Sequence, residues 1–468
     1  MSNGEIRFAV IGAGPAGFYT AEQLLNGGFA VDLFDALPTP FGLVRAGVAP
    51  DHPKIKSVTR VYERTAARPG FRFFGGVELG ADIAREELLA RYHGICYAVG
   101  TSTDNRLGIP GEDRPGSHAA TEFVAWYNGH PDYADRAFDL SATRAVVIGN
   151  GNVAIDVARM LLLDPEELAV TDTADHALEA LQRAQVQHVT LLGRRGPAQA
   201  AFTNPELREL GELARADVVV DPAELELDEH SAARLESTGD KVVRRNVELL
   251  REYALRERRG KPRRIELKFL RSPIALLGGG QDGAVGCLRV MCNRIEPDAS
   301  GDLRAVPTGE EEVLECGLVL RSIGYRGRPL PGVPFDERRG LIRNVGGRVC
   351  DEEGRCSHGE YVVGWIKRGP SGVIGTNKKD AVDTVARILE DAELSRLNRP
   401  EQPDPDGVQQ WLRGRVPGLT TWAGWEAIDR FETTLGVSQG RPRVKLIRVS
   451  DMIDAATRPR FRAPSPWR

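Results

Sequence analysis

The chain has 468 residues, which is enough for two or three domains with a substantial buried core. Its 62 lysine and arginine residues stand against 66 aspartate and glutamate residues, and the resulting formal net charge of -4 argues against general nucleic-acid binding. No stretch approaches the roughly 20 apolar residues of a membrane span, and the first apolar run starts too close to Met1 for a signal or transit peptide, so we expect a cytoplasmic protein.

The first motif is a glycine-rich turn, Gly12-Ala-Gly14-Pro-Ala-Gly17, directly after the apolar run 8–11. In a strand–turn–helix unit, Gly12 permits the tight turn, Gly14 lets the backbone approach a pyrophosphate, and Gly17 lets the helix pack on the strand. The helix N-terminus then offers free N–H groups to the phosphates. The next predicted strand ends at Asp35, about 20 residues after the glycines, where a carboxylate accepts hydrogen bonds from an adenosine ribose. An isolated aspartate there would more often lie in a solvated turn.

Three further elements follow before the chain leaves this unit. The segment 38–45 is too rich in proline and glycine for a helix or a central strand, so we expect a loop. Residues 54–67 have the pattern of an amphipathic helix. The apolar run 95–100 ends in glycine and predicts a short strand that leads out of the first domain.

A second glycine-rich turn, 149–154, follows the apolar run 145–148 and reads Gly149-Asn150-Gly151-Asn152-Val153-Ala154. A single motif of this kind is weak evidence, because glycine-rich turns are common. Two such turns, each with the correct strand and helix flanks, indicate two nucleotides held by one chain. The usual reason to hold two is the transfer of a hydride between them.

The strand that follows the second turn indicates which nicotinamide cofactor is used. After an acidic insertion at 164–175, the predicted strand 188–192 ends in Gly193-Arg194-Arg195, where a carboxylate would be expected. Guanidinium groups recognise a 2′-phosphate by charge-assisted, bidentate hydrogen bonds. The position therefore favours NADP(H) over NAD(H), although an arginine pair is ordinarily only solvated charge.

The rest of the chain contains regular elements and scattered cysteines. A highly charged segment, 228–264, is typical of a solvated helix and turn, and a helix is predicted at 377–389 with Thr376 or Asn377 as its N-cap. Of the six cysteines none forms a C-x-x-C pair, so we expect reduced, structural thiols, no disulfide for a flavin to reduce and no metal site.

Four longer strings carry a resemblance to a known family. They are Pro40 to Pro53, Gly151 to Arg159, Gly193 to Pro197 and Gly364 to Ile374. Through them the chain resembles the adrenodoxin-reductase-type ferredoxin–NADP(+) reductases over almost its whole length. Three departures from that family are Asp35, which is usually glutamate, Asn150, which replaces a common glutamine, and a looser match at 338–355.

The resemblance implies an α/β fold with two Rossmann-like dinucleotide-binding domains. The FAD domain would be discontinuous, 1–104 and 325–468, with the NADP domain, 105–324, inserted into it. It also implies the cofactor contacts. Besides the first glycine turn, FAD would be contacted by Ala16, Asp35, Leu43, Leu79, Trp365, Gly372, Val373 and Ile374. NADP would be contacted by Asn150, Gly151, Asn152, Val153, Arg194, Arg195, Glu206 and again Gly372.

Elementary chemistry adds roles for a few of these residues. A helix that starts just after Gly372–Ile374 would point its positive end at the flavin ring, which gains negative charge on reduction. Trp365 would pack beside the flavin, unless it is an ordinary core tryptophan. His52 and Asp156 are the candidate catalytic residues. Because hydride transfer needs no general base, His52 would position groups or tune charge, and Asp156 could equally be a helix-surface carboxylate.

The function implied is a reversible ferredoxin–NADP(+) reductase. It would take hydride from NADPH onto FAD and pass single electrons to a ferredoxin-type iron–sulfur protein, docked at Arg208, Arg244 and Arg245. The family suggests a monomer. Two alternatives stay open: an NADPH-dependent diaphorase or quinone reductase, and a sensor that binds FAD and NADP but turns over negligibly.

Overall fold

The computed structural model of the chain describes residues 6–279 and 281–457. Within these ranges no helix combines the length and the apolar character that crossing a bilayer requires. The fold is α/β, as predicted, with one largely parallel sheet and one fully parallel sheet.

The chain divides into two compact units. The first comprises Met1–Thr103, Asn128–Ala134 and Gly324–Arg468, and the second comprises Asp104–Tyr127 and Asp135–Ile323. The segment Asn128–Ala134 departs from the expected division, which placed it in the second domain. It belongs to the first unit, where Lys445 Nζ donates to Asn128 Oδ1 at 3.2 Å.

The first unit is built on an eight-stranded sheet. Its strands lie in the order Asn344–Val345, Arg348–Cys350, Cys356–Val362, Gly94–Tyr97, Arg7–Ile11, Ala30–Asp35, Phe71–Gly75 and Thr420–Thr421. The five central strands run parallel, and the edge strands pair antiparallel. Short strands Phe335–Asp336 and Leu341–Ile342 form a separate ribbon.

Residues 8–11 of the central strand Arg7–Ile11 form a continuous apolar run because both faces of the sheet are covered there. Phe8 and Val10 point into one buried cluster and Ala9 and Ile11 into the other. The helices of this unit are Pro15–Asn26, Leu43–Ala46, Pro53–Lys56, Thr59–Ala66, Arg85–Leu89, Trp365–Arg368, Thr376–Glu393, Pro405–Arg415, Trp422–Ser438 and Val449–Thr457, with a 3-10 turn at Pro131–Tyr133.

The second unit contains a six-stranded, all-parallel sheet and a smaller antiparallel one. The parallel strands lie in the order Ser117–Ala119, Leu318–Arg321, Arg144–Ile148, His188–Leu192, Arg263–Lys268 and Ala216–Val220. The antiparallel sheet consists of Arg271–Gly278, Val285–Pro297 and Leu303–Glu315. The helices are Ala120–Tyr127, Asn152–Leu162, Pro165–Ala169, Asp175–Gln182, Asn204–Leu210, Glu229–Thr238 and Lys241–Leu255, with 3-10 turns at Pro197–Gln199, Pro222–Leu225 and Gln281–Gly283. Short strands Thr103–Asp104 and Tyr325–Arg326 lie where the chain passes between the units.

Two local expectations were wrong. The single helix expected at 54–67 is divided into Pro53–Lys56 and Thr59–Ala66. Ser57 Oγ donates to Lys54 O at 2.6 Å and so competes with the helical backbone bonds at the break. The later helix begins at Thr376 with Gly375 as its N-cap, so neither Thr376 nor Asn377 is the cap; the Thr376 hydroxyl, already inside the helix, accepts the Val373 N–H.

The expectation of six reduced cysteines was also wrong. Cys350 and Cys356 form a disulfide. They are directly opposite each other in adjacent antiparallel strands, with their Cα atoms 3.9 Å apart, a neighbour relation that sequence spacing does not reveal. The other four cysteines are free thiols.

Candidate dinucleotide-binding sites

The first glycine turn, 12–17, has the geometry that a bound pyrophosphate requires. Gly12 has φ +107°, and a Cβ there would come within 2.6 Å of Ala98 O. A Cβ on Gly17 would lie 1.9 Å from Gly12 O, so only glycine lets the helix approach the turn this closely. By contrast, a Cβ on Gly14 would meet no heavy atom within 4 Å. The turn thus leaves open space at the position where phosphate oxygens are expected.

The helix that follows this turn has an uncapped N-terminus. Helix Pro15–Asn26 has Gly14 as its N-cap, and this residue provides no side-chain cap for the first turn. Its leading N–H groups and the positive end of its dipole are therefore available to an anion. Proline at the first helical position removes one N–H that would have had no helical partner in any case.

Asp35 lies at the end of the second strand, next to the same turn. Its carboxylate accepts the Ala13 N–H at 2.8 Å and the Leu37 N–H at 3.0 Å. Burial raises the pKa of Asp35 to about 6, although these two N–H groups act to lower it. A carboxylate has about four lone-pair sites, so hydroxyl donors of a ribose could still be accepted and would favour the ionised form.

The proline- and glycine-rich loop packs against the first glycine turn. Phe41 N donates to Ala13 O at 2.8 Å, and a Cβ on Gly42 would lie 3.0 Å from Gly14 Cα. Phe41 adopts φ +86°, which is strained for a bulky residue, and it is held there by rings such as Trp425 at 5.4 Å. Leu43, which begins the next helix, stays partly exposed, whereas Leu79 lies within the core.

The segment 364–377 meets the first glycine helix from another direction. A Cβ on Gly364 would come within 2.6 Å of Ala16 Cβ, and Asp380 fixes this turn by accepting the Gly364 N–H and the Lys367 ammonium, at 2.5 and 2.7 Å. Trp365, the residue after Gly364, therefore lies near Ala16. The Trp365 ring packs 5.5 Å from that of Tyr325, and its buried Nε1 has no hydrogen-bond acceptor among the described residues.

The loop 372–374 leads directly into helix Thr376–Glu393. Gly372 has φ +80°, Val373 is exposed, and Ile374 packs partly on the core. The N-cap residue of this helix, Gly375, provides no side-chain cap. Lys378 and Lys379, in the first turn, are exposed. The first unit therefore brings together the first glycine turn, Asp35, loop 41–44, Trp365 and the N-terminus of this helix.

His52 lies on the same unit in a buried position. It is the N-cap residue of helix Pro53–Lys56, and its Nε2 is 4.0 Å from Asp51 Oδ1.

The second glycine turn, 149–154, repeats the geometry of the first. Gly149 has φ +131°, and a Cβ there would lie 2.1 Å from Ser322 O. A Cβ on Gly151 would meet nothing within 4 Å, and helix Asn152–Leu162 starts without a side-chain cap. Ala154, fully buried, takes the third small position.

The loop 193–206 of the second unit covers this turn. Ala201 N donates to Asn150 O at 2.9 Å, and Asn152 Oδ1 accepts the Thr203 N–H at 2.8 Å. Asn152 therefore holds this loop in place, and Val153 is only partly buried. Glu206, at the start of helix Asn204–Leu210, has a buried Oε2 with no donor among the described residues.

Arg194 and Arg195 differ in their surroundings. Arg194 is exposed, whereas Arg195 is partly buried. Burial lowers the pKa of Arg195, and the neighbouring Arg194 and Arg304 guanidinium groups lower it further. Among the described residues Arg195 has no carboxylate within ion-pair distance, which makes it a candidate for binding an anion from outside the chain.

Asp156 is one turn into the second glycine helix and is mostly buried. Its Oδ1 lies 3.4 Å from Arg159 Nη1, and Arg159 is also 3.4 Å from Glu209. Asp156 is thus part of a charged network rather than a solvated helix surface.

Comparison with known proteins adds the family. The pyridine nucleotide-disulphide oxidoreductase family matches residues 6–209. NADPH-ferredoxin reductase FprA of Mycobacterium tuberculosis is 50% identical over 458 residues, covering 95% of this chain and 98% of that protein. The mitochondrial NADPH:adrenodoxin oxidoreductase of Arabidopsis thaliana is 41% identical, covering 97% and 96%. The solved structure of M. tuberculosis FprA in complex with NADPH superposes with a TM-score of 0.90 at 49% identity, covering 97% and 100%.

The chain belongs to the adrenodoxin-reductase-type ferredoxin–NADP(+) reductases. The family assignment made from the four sequence strings is confirmed. The residues of the two glycine turns fit the pyrophosphates of FAD and NADP(H). Each turn combines open space at its second glycine with a helix whose N-cap residue has no side-chain cap.

Sequence reasoning missed several residues that lie beside the candidate sites. Gln199 has a buried Oε1 with no donor among the described residues. Arg304 lies close enough to Arg195 for its charge to lower the pKa of Arg195. Asp380 holds the Gly364 turn. None had a motif signal: Arg304 and Asp380 come to these sites from other elements of the fold, and Gln199, although it lies in the 193–199 loop, belongs to no recognised motif.

Proposed function

We propose that this chain is a ferredoxin–NADP(+) reductase that oxidises NADPH and delivers electrons singly to a ferredoxin-type iron–sulfur protein. The observation that carries this proposal is the presence of two glycine turns of the same construction, one on each unit. The chain's likeness over nearly full length to reductases named for NADPH and for ferredoxin or adrenodoxin supports the reaction class.

The first unit would hold FAD, which, when bound, accepts a hydride equivalent and releases electrons one at a time. The first glycine turn and its helix would bind the pyrophosphate, with Gly12, Gly14 and Gly17 as its glycines. Asp35 would accept ribose hydroxyls, and Ala16, Leu43, Leu79, Trp365 and Gly372 to Ile374 would line the flavin. Trp365 Nε1, a buried donor with no acceptor in the described part of the chain, supports a ligand at that position.

The second unit would hold NADPH. The turn Asn150 to Val153 would bind its pyrophosphate, and Arg195, assisted by the exposed Arg194, would select the 2′-phosphate. Glu206, whose buried Oε2 has no donor within the residues that the structure describes, would accept a hydrogen bond from the ligand. His52 and Asp156 would act as positioning groups, because hydride transfer needs no general base.

We also propose that ferredoxin docks on the second unit at Arg208, Arg244 and Arg245. Helices Asn204–Leu210 and Lys241–Leu255 pack together through Asn204 Nδ2, which donates to Asn246 Oδ1 at 2.6 Å. Arg208 and Arg244 are exposed. Arg245 Nη1 is 3.0 Å from both Glu248 and Glu252, so its charge is largely compensated and it should contribute least.

The decisive assay is NADPH-dependent cytochrome c reduction with and without an added ferredoxin, alongside ferricyanide reduction. Strong dependence on ferredoxin supports the proposal. High ferricyanide or quinone turnover with no stimulation by ferredoxins would favour a diaphorase, and negligible turnover with every acceptor would favour a sensor.

Charge reversal tests the docking surface. Arg208→Glu with Arg244→Glu should raise the ferredoxin KM and flatten its ionic-strength dependence, while ferricyanide turnover stays near normal, because rim charges act mainly on encounter. The single variant Arg245→Glu changes the charge of this surface by half as much and should have a smaller effect. Unchanged ferredoxin kinetics in the double variant would place docking elsewhere.

The proposal includes a monomer in the cytoplasm. Light scattering of the purified protein and fractionation of cells test these two points.

A further inference from the structure

A cavity of about 390 Å³ lies entirely within the second unit, next to the 193–199 loop. Its wall combines that loop, helix Glu229–Thr238, the start of helix Lys241–Leu255 and the tip of the antiparallel sheet. The charged and polar side chains used below are Arg195, Gln199, Arg234, Asp240, Asp302 and Arg304.

One guanidinium group at this cavity has no carboxylate within ion-pair distance among the described residues. Three guanidinium groups and two carboxylates line the wall, and a third carboxylate, Asp298, pairs with Arg304 from outside it. Asp240 is engaged as an N-cap, since its Oδ1 accepts the Val242 and Val243 N–H groups. Asp302 is 3.8 Å from Arg234. The partly buried Arg195 is left without a carboxylate among the described residues, so the cavity is prepared for an anion.

Arg304 is held at the cavity by a rigid turn. Its Nε donates to Asp298 Oδ2 at 2.7 Å. Asp298 Oδ1 in turn accepts the N–H groups of Ser300 and Asp302, at 2.9 and 3.0 Å. The same hydrogen bonds, with Arg304 the largest influence, hold the pKa of Asp298 far below its usual range, so the carboxylate stays ionised. Because Asp298 binds the Nε edge, the two terminal nitrogens of Arg304 are available to a second partner.

Gln199 indicates that the ligand also carries hydrogen-bond donors. Its Nε2 donates to Ser231 Oγ at 2.8 Å, whereas its Oε1 is buried and has no donor among the described residues. A buried acceptor without a partner is costly. A fully ionised phosphate ester has no donor for this oxygen, whereas the hydroxyl and amino groups of a nucleoside do.

We propose that this cavity takes the 2′-phosphorylated adenosine end of NADPH, and that Arg304 is a specificity-determining residue that clamps the 2′-phosphate together with Arg195. This inference rests on the proposed NADPH function and deepens it. Arg304 comes from the antiparallel sheet, more than a hundred residues after the Arg194–Arg195 pair, so the clamp closes on the phosphate from two separate elements.

The test measures binding of 2′,5′-ADP and of ADP to the purified protein by calorimetry. Arg304→Ala should weaken 2′,5′-ADP about tenfold, the scale of one charge-assisted contact, and leave ADP within about twofold. Arg304→Lys should recover part of the loss. Arg289→Ala is the matched control, because Arg289 lies on the same sheet, pairs with Glu311 at 3.5 Å and does not line the cavity.

Three results would overturn the inference. Unchanged 2′,5′-ADP affinity in Arg304→Ala would remove Arg304 from the site. Equal losses for both ligands would mean that the substitution disturbs the cavity rather than phosphate selection. If the unmodified protein binds ADP as tightly as 2′,5′-ADP, the NADPH function itself fails, which separates that failure from a failure of Arg304 alone.

Discussion

Gly14→Ala should separate the binding of FAD from the folding of the chain. In the structure Gly14 has φ -82° and ψ -174°, extended values that alanine adopts freely, and the added methyl group would meet no protein atom within 4 Å. The apoprotein should therefore fold normally. A glycine-to-alanine change at a compatible position even adds about 0.4–1 kcal/mol by restricting the unfolded chain.

The same methyl group would occupy the space where we place the pyrophosphate. Displacing one charge-assisted contact between phosphate and helix N–H groups costs about 1.5–3 kcal/mol, or roughly a ten- to hundredfold weaker FAD affinity. Gly17→Ala is the contrasting variant. Its Cβ would lie 1.9 Å from Gly12 O, so this substitution should destabilise the apoprotein itself.

Two measurements on each apoprotein decide the matter: thermal unfolding, and a titration with FAD followed by the quenching of flavin fluorescence. For Gly14→Ala we expect an unchanged or slightly higher Tm with a large rise in the FAD Kd. A folded Gly14→Ala protein that binds FAD as tightly as the unmodified chain would refute the role given to the first glycine turn.

Four further outcomes follow from particular contacts. Burial raises the pKa of Asp35 to about 6, and ribose donors bind its ionised form, so the FAD affinity of the apoprotein should fall by up to about tenfold per pH unit below that value. Asp35→Asn should abolish this pH dependence. A pH-independent FAD affinity in the unmodified chain would contradict the role given to Asp35. Without FAD the sign is opposite: the free energy of unfolding decreases as the pH rises from 3.8 towards 6, because the folded chain holds this proton more tightly. Glu432→Ala should lower the free energy of unfolding in urea by about 3–5 kcal/mol, since the fully buried carboxylate accepts hydrogen bonds from Arg45 at 2.5 and 2.8 Å. Asp429→Ala, on the exposed side of the same helix, should lower it by less than about 1 kcal/mol. Equal losses would refute the idea that burial of the Glu432–Arg45 pair sets its contribution to stability. Arg195→Ala should raise the NADPH KM more than Arg194→Ala does, with NADH nearly unaffected, and the reverse order would mean that exposure, not the cavity, governs recognition.

The two glycine turns were predictable because their chemistry is local. Spacing within six residues determines which glycine faces the strand, which faces the helix and which faces open space, and the flanking apolar runs identify the strands. The family followed from longer strings of the same local kind, such as Gly364 to Ile374.

Other features depend on contacts between distant segments and left no local signal. The disulfide between Cys350 and Cys356 requires a particular strand register, including an irregularity between Arg348 and Cys350. The position of Arg304 beside Arg195 depends on how the antiparallel sheet packs against the 193–199 loop. The break at Ser57 depends on a side-chain bond that competes with the helix, and the amphipathic pattern continues through it.

The most direct test of the proposed electron path is an anaerobic titration of the purified holoprotein with NADPH, followed by its visible absorption spectrum and then by addition of oxidised ferredoxin. We expect flavin bands that bleach with about one equivalent of NADPH and return when ferredoxin is added, because flavin accepts hydride and releases single electrons. The absence of a flavin spectrum would contradict the proposed function. So would a flavin that stays oxidised after NADPH is added.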